Sequence, residues 1–138
     1  MFEMAKIKVP IISIIIGEGS SGGALAIAVA NKVFMLENAI YSILSPEGYS
    51  TILWKDASRY KEAADKMKLT ANDLYDLKVI DNIIKEPMEL TDESFKKVIE
   101  ELKKEIQNEI SIMLKLSKEE IVNQRYSKYR KISYIKEV

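Results

Sequence analysis

Three overlapping patterns meet in GEGSSGG, residues 17–23, and each implies a different chemistry. Gly17-x-Gly19-x-x-Gly22 matches a dinucleotide fingerprint, whose glycines let a pyrophosphate approach the backbone. Gly19-x-Ser21-x-Gly23 matches the nucleophile elbow of serine hydrolases, with Ser21 as the attacking hydroxyl. The pair Gly22-Gly23 also opens a run of small residues. At such a helix start the backbone N–H groups lack helical partners and can donate to a developing oxyanion.

The residue inventory separates these chemistries. The chain has no histidine and no cysteine. A serine nucleophile normally needs a histidine base held by an acid, so the hydrolase reading of Ser21 fails. Thiol nucleophiles, disulfides and zinc-thiolate sites are excluded on the same ground. The dinucleotide reading gains from Glu37, twenty residues after Gly17, where a ribose-binding acid would stand. It loses because only a short helix fits before the apolar run beginning at Lys32, and because another strand follows Glu37 at once. The amide-donor reading asks least of the residues. From pattern alone it stands level with the plainer possibility that two glycines allow close helix–strand packing.

Several elements must position this turn. Residues 9–16, VPIISIII, read as a strand apolar on both faces, as in a parallel sheet covered on each side. Residues 23–30 read as a short helix, and 32–36 and 39–44 as two further strands. Ser45-Pro46-Glu47 reads as a helix start, with Ser as N-cap and Pro in the first turn. Residues 58–68 carry a helical period, Thr70-x-x-Asp73 caps a short helix, and 79–84 is a strand candidate. Beyond Pro87, Phe95, Val98, Ile99, Leu102, Ile106, Ile110 and Met113 predict a long amphipathic helix over 92–116. Ser117-x-x-Glu120 starts another, with Ile121, Val122, Arg125, Tyr126 and Tyr129 along one side. The division expected is therefore an α/β part over 1–87 and a helical tail over 88–138, packing on that part or on a partner subunit.

Length allows one domain, and 21 basic residues against 21 acidic ones leave no net charge. Such a balance gives no general attraction for nucleic acid or an anionic membrane. The apolar run 11–16 is far too short to span a bilayer, and the N-terminus does not read as a signal peptide, so the expectation is a cytoplasmic protein.

The stretch IIGEGSSGGALAIAVANKVFMLENAIYSILSPEG, followed by ILWKDA, resembles the α-subunit family of the bacterial acetyl-CoA carboxylase carboxyltransferase. The likeness continues through LTANDLYDLKVIDNIIKEP to QRYSKYRK and so covers nearly the whole chain. It implies the crotonase/ClpP-like superfamily, an α/β fold of repeated ββα units, here partial and with a C-terminal helical tail. It also implies transfer of a carboxyl group from carboxybiotin, on a separate biotin carboxyl carrier protein, to acetyl-CoA, giving malonyl-CoA for fatty acid synthesis. No biotin is expected on this chain itself.

By the same resemblance Gly22 and Gly23 hold the biotin ureido oxygen as it becomes negative. Gly19, Ser20 and Ser21 line the substrate site, and no metal is bound. A carboxyltransferase β subunit is the implied partner, in an α2β2 or other oligomer. Glu47 reads as a helix-start acid, Tyr49 and Trp54 as packing residues, and Glu18 as a structural hydrogen-bonding group. Members of the family are longer before the glycine turn, so the chain reads as their C-terminal portion, inactive without a β subunit and with an apolar surface open to self-association. A non-catalytic assembly fragment is the alternative from another class, with a dinucleotide-binding oxidoreductase the weaker third.

Overall fold

The computed structural model describes residues 1–89 and 91–132. After the short helix α1 (Phe2–Lys6), strand β1 (Ile12–Ile15) leads into β2 (Glu18–Ser20), which runs directly into helix α2 (Ser21–Ile27). Strands β3 (Lys32–Leu36) and β4 (Ile40–Ser42) follow, then α3 (Pro46–Trp54), a 3-10 turn over Ala57–Arg59, α4 (Tyr60–Met67) and α5 (Ala71–Asp76). Strand β5 (Asn82–Ile84), the long helix α6 (Asp92–Met113) and α7 (Lys118–Ile132) complete the described chain.

The strands form two parallel sheets. One has the order β1-β3-β5, and the other pairs β2 with β4. Central strand β3 buries Val33, Phe34 and Met35, each at most 1% exposed, because its alternating side chains meet a helical layer on each face. Val33 and Met35 join Ala28, Ala30, Tyr41, Leu74 and Ile80 on the face covered by α2 and α5. Phe34 and Ile84 meet Val98, Leu102 and Ile106 of α6 on the other. Part of the apolar repeat of α6 thus serves the same core as the strands, while Phe95, Ile99 and Ile110 of that repeat are exposed.

Both-face burial, expected of residues 9–16, belongs to β3 and not to β1. Of β1 only Ser13 is buried, and Ile16 just beyond it is 72% exposed. The reason is topological: among the described residues β1 is an edge strand, hydrogen-bonded to β3 alone. Val9 and Ile27 lie similarly open, at 58% and 69%.

The helix starts follow their side chains. Ser45 Oγ accepts from the Gly48 amide at 3.2 Å, and Thr70 Oγ1 from the Asp73 amide at 3.3 Å. Ser117 and Glu120 cap reciprocally, the Ser117 amide donating to Glu120 at 2.7 Å and the Glu120 amide to Ser117 at 3.2 Å. A capping box of Thr91 and Ser94 opens α6.

Helices α3, α4 and α5 end on lysines in the left-handed region: Lys55, Lys68 and Lys78, with φ of 56°, 55° and 59°. Glycine is the favoured residue for such a cap because it has no Cβ to clash. Lys55 is exposed, and its amide closes on Thr51 O. Lys55→Gly is expected to stabilise the fold by about 0.5–1 kcal/mol, the left-handed strain outweighing the entropy of glycine. Urea denaturation followed by the single tryptophan, Trp54, reads this directly.

Candidate functional site

The glycine turn lies at the carboxyl end of β1, the end of parallel strands where open α/β sheets bind ligands. Residues 18–20, expected as loop, are instead strand β2, held by parallel pairing of Glu18, Gly19 and Ser20 with Ile40, Tyr41 and Ser42. Ser20 Oγ lies 3.3 Å from Ser42 Oγ and does not cap α2. A cavity of about 430 Å³ runs between β1 and α2, lined by Ser13, Gly17, Gly19, Ser20, Ile27 and Tyr41 among others. Burial raises the Tyr41 phenol above its ordinary value, so its hydroxyl stays protonated in the neutral range.

The glycines of the turn divide by what surrounds them. A Cβ on Gly19 would make ordinary contacts with the Tyr41 ring at 3.4 Å, Ile15 at 3.5 Å and Ala24 at 3.7 Å. A Cβ on Gly22 or Gly23 would meet nothing within 4 Å, and no glycine among the described residues has a positive φ. Neither packing nor backbone conformation within this chain therefore calls for glycine at those two positions. Ser21 is the residue in the left-handed region, with φ 67°, and it is exposed. Its strained backbone is what turns β2 abruptly into α2 and sets the Gly22-Gly23 pair at the surface.

The other sequence candidates lie elsewhere or are engaged. The Glu37 carboxylate receives Lys85 Nζ at 2.6 Å and the Glu86 amide at 3.2 Å, which lower its pKa. It braces the ends of β3 and β5. Tyr49 meets Trp54 edge-on at 5.9 Å, and Trp54 lies under the Arg59 guanidinium at 4.1 Å, packing α3 on α4. The Glu47 side chain is exposed at the start of α3, while its carbonyl accepts from Ser50 and Thr51. Two members of the site were not singled out from sequence, Tyr41 and Ser42. Their only signal was the strand pattern of AIYSIL, which does not say which neighbour that strand pairs with.

Among the described residues no group of three or more acidic, histidine or cysteine side chains is placed to hold a metal. No helix among them is long and apolar enough to cross a membrane.

A family model described as acetyl co-enzyme A carboxylase carboxyltransferase-like matches residues 1–133. The acetyl-coenzyme A carboxylase carboxyl transferase subunit alpha of Clostridium botulinum is 53% identical over 132 residues, which cover 96% of this chain and 48% of the relative. The subunit of the same name from Streptococcus thermophilus is 53% identical over 131 residues, covering 95% and 50%. The chain thus spans about half the length of the curated relatives it matches. A chain from the crystal structure of a Pseudomonas malonate decarboxylase hetero-tetramer in complex with coenzyme A has the same fold over 84% of this chain and 45% of its own length. Its TM-score is 0.64 and its sequence identity 14%.

Proposed function

Because the chain belongs to the acetyl co-enzyme A carboxylase carboxyltransferase-like family, we propose that it supplies the biotin side of a carboxyltransferase site, using the backbone amides of Gly22 and Gly23. The observation that carries this reading is the open space at both glycines, which leaves their amides approachable at an uncapped helix start. The surrounding fold is then of the crotonase type, with β1 at one edge of its sheet.

Carboxybiotin, on its separate carrier protein, would supply the transferable carboxyl group, with acetyl-CoA as the acceptor and malonyl-CoA as the product. The chain's own part is electrostatic. Two N–H donors fixed by the β2–α2 junction offer partial positive charge to an oxygen that becomes negative during transfer. Gly19 lies beside Tyr41 at the junction, and the cavity between β1 and α2 gives the approach. Glu18, exposed beside the junction, is a structural acid in this reading, because a carboxylate facing a developing anion would oppose it.

The partner is a carboxyltransferase β subunit, which holds the acyl-CoA. The test is reconstitution. The chain, a β subunit of this family and free biotin are mixed, and decarboxylation of malonyl-CoA is followed as the reverse half-reaction. Biotin-dependent turnover is expected. Assembly without any turnover would reverse the proposal in favour of a non-catalytic assembly fragment.

A further inference from the structure

A second polar cavity opens at the other end of the strands. Asn31-Lys32 and Asp81-Asn82 stand at the amino ends of β3 and β5, and α7 passes beside them. Between these segments is a space of about 650 Å³ lined by Lys32, Lys78, Asp81, Ser127, Lys128 and Lys131, with Leu77 and Ile132 among its apolar wall. Four lysines and one carboxylate, Asp81, line this space.

Two of the lysines are held by ion pairs. Lys128 is ion-paired with Asp81, which also accepts from the Val33 amide at 2.7 Å. Its side chain is only 13% exposed. Burial, with Lys32 acting in the same direction, holds the Lys128 ammonium below its ordinary pKa against the opposing pull of Asp81. Lys32 is tied to Glu109 of α6 at 3.1 Å. The backbone of Lys78, just after the α5 cap Leu77, lies in the left-handed region with its amide on Tyr75 O at 2.9 Å. Lys131 follows Lys128 by three residues, on the same face of α7. Among the described residues Lys78 and Lys131 have no ion-pair partner, whereas Lys32 and Lys128 are each paired.

We propose that this cavity binds a small molecule bearing a phosphate group, gripped by Lys78 and Lys131 with Lys32 and Lys128 behind them. Ammonium groups on converging elements suit a multiply charged oxyanion, and the Ser127 hydroxyl adds a neutral donor. The volume exceeds what a lone phosphate needs and falls in the range of ligand sites, and the apolar wall accepts the organic part of a phosphate ester. The site lies at the opposite strand ends from Gly22 and Gly23 and makes no use of them.

The test is calorimetric titration of the chain with sodium pyrophosphate and with AMP, at constant ionic strength. Saturable binding of both is expected, weakened roughly tenfold or more in the double variant Lys78→Gln/Lys131→Gln. Both of these residues are exposed, so the fold should survive, and unchanged thermal unfolding confirms it. Lys103→Gln/Lys104→Gln, a pair exposed on α6, should bind like the parent, as should Gly22→Val. Failure of both probes to bind, or equal affinity in the Lys78/Lys131 variant, would overturn the proposal.

Discussion

Gly22→Val and Gly23→Val, made separately, are each expected to cut reconstituted carboxyl transfer by about 100- to 1000-fold while leaving the thermal unfolding midpoint unchanged. The two halves of this result test different physics. Stability should hold because an added Cβ meets nothing within 4 Å and neither glycine has a positive φ. Valine is also no poorer a helix former than glycine, so α2 does not suffer. Activity should fall because a branched side chain beside an amide donor keeps a ligand oxygen from reaching hydrogen-bonding distance. A lower midpoint would restore the packing explanation of the glycine pair. Full activity in both variants would remove the amides from the mechanism, and with them the role proposed for this end of the sheet.

What was legible in the sequence and what was not follows from the range of the interactions. Ser45, Thr70 and Ser117 could be read as caps because each acts within three residues of itself. The amphipathic repeat of α6 was equally plain as a helix, though only Val98, Leu102 and Ile106 of it meet the strand core and Phe95, Ile99 and Ile110 stay exposed. Strand β2 was not, because three residues of Glu, Gly and Ser become a strand only through β4, some twenty residues away. For Glu37, spacing suggested a ribose ligand, whereas its partners Lys85 and Glu86 lie 48 and 49 residues on. Residues 9–16 looked like a strand buried on both faces, and hydrophobicity could not show that β1, among the described residues, has a neighbour on one edge only. The glycine pair is the instructive case. Pattern left packing and amide presentation level, and the empty space around Gly22 and Gly23 removes only packing within this chain as a reason for glycine.

Arg125→Leu is expected to cost about 3 kcal/mol or more of folding stability, a large part of the ~5–15 kcal/mol typical of a domain. Arg125 is 1% exposed, yet its guanidinium donates to the carbonyls of Met4, Ala5, Ile7 and Val9 at 2.8–3.1 Å. It donates also to Asn31 Oδ1, at 3.2 Å from Nε and 2.7 Å from the second terminal nitrogen. Asn31 in turn donates to Ile121 O at 2.9 Å and to Gln124 at 2.8 Å. Leucine fills most of the volume and leaves the carbonyls of Ala5, Ile7 and Val9 without the guanidinium donor, which is the expensive direction, while Asn31 Oδ1 keeps only the Ile11 amide and Met4 O only the Ile7 amide. The loss should spread. Helix α1 has five residues, too few to persist alone, and its last carbonyls are the ones Arg125 satisfies. With them goes the segment that leads into β1, and β1 carries the glycine turn. Arg125→Lys should recover only part of the loss, because one ammonium cannot span the fork of acceptors. Urea denaturation monitored by Trp54 gives the stabilities, and amide hydrogen exchange over residues 4–15 locates the opening. A leucine variant within ~0.5 kcal/mol of the parent, the range of an ordinary surface change, would show that α7 does not hold the amino end in place.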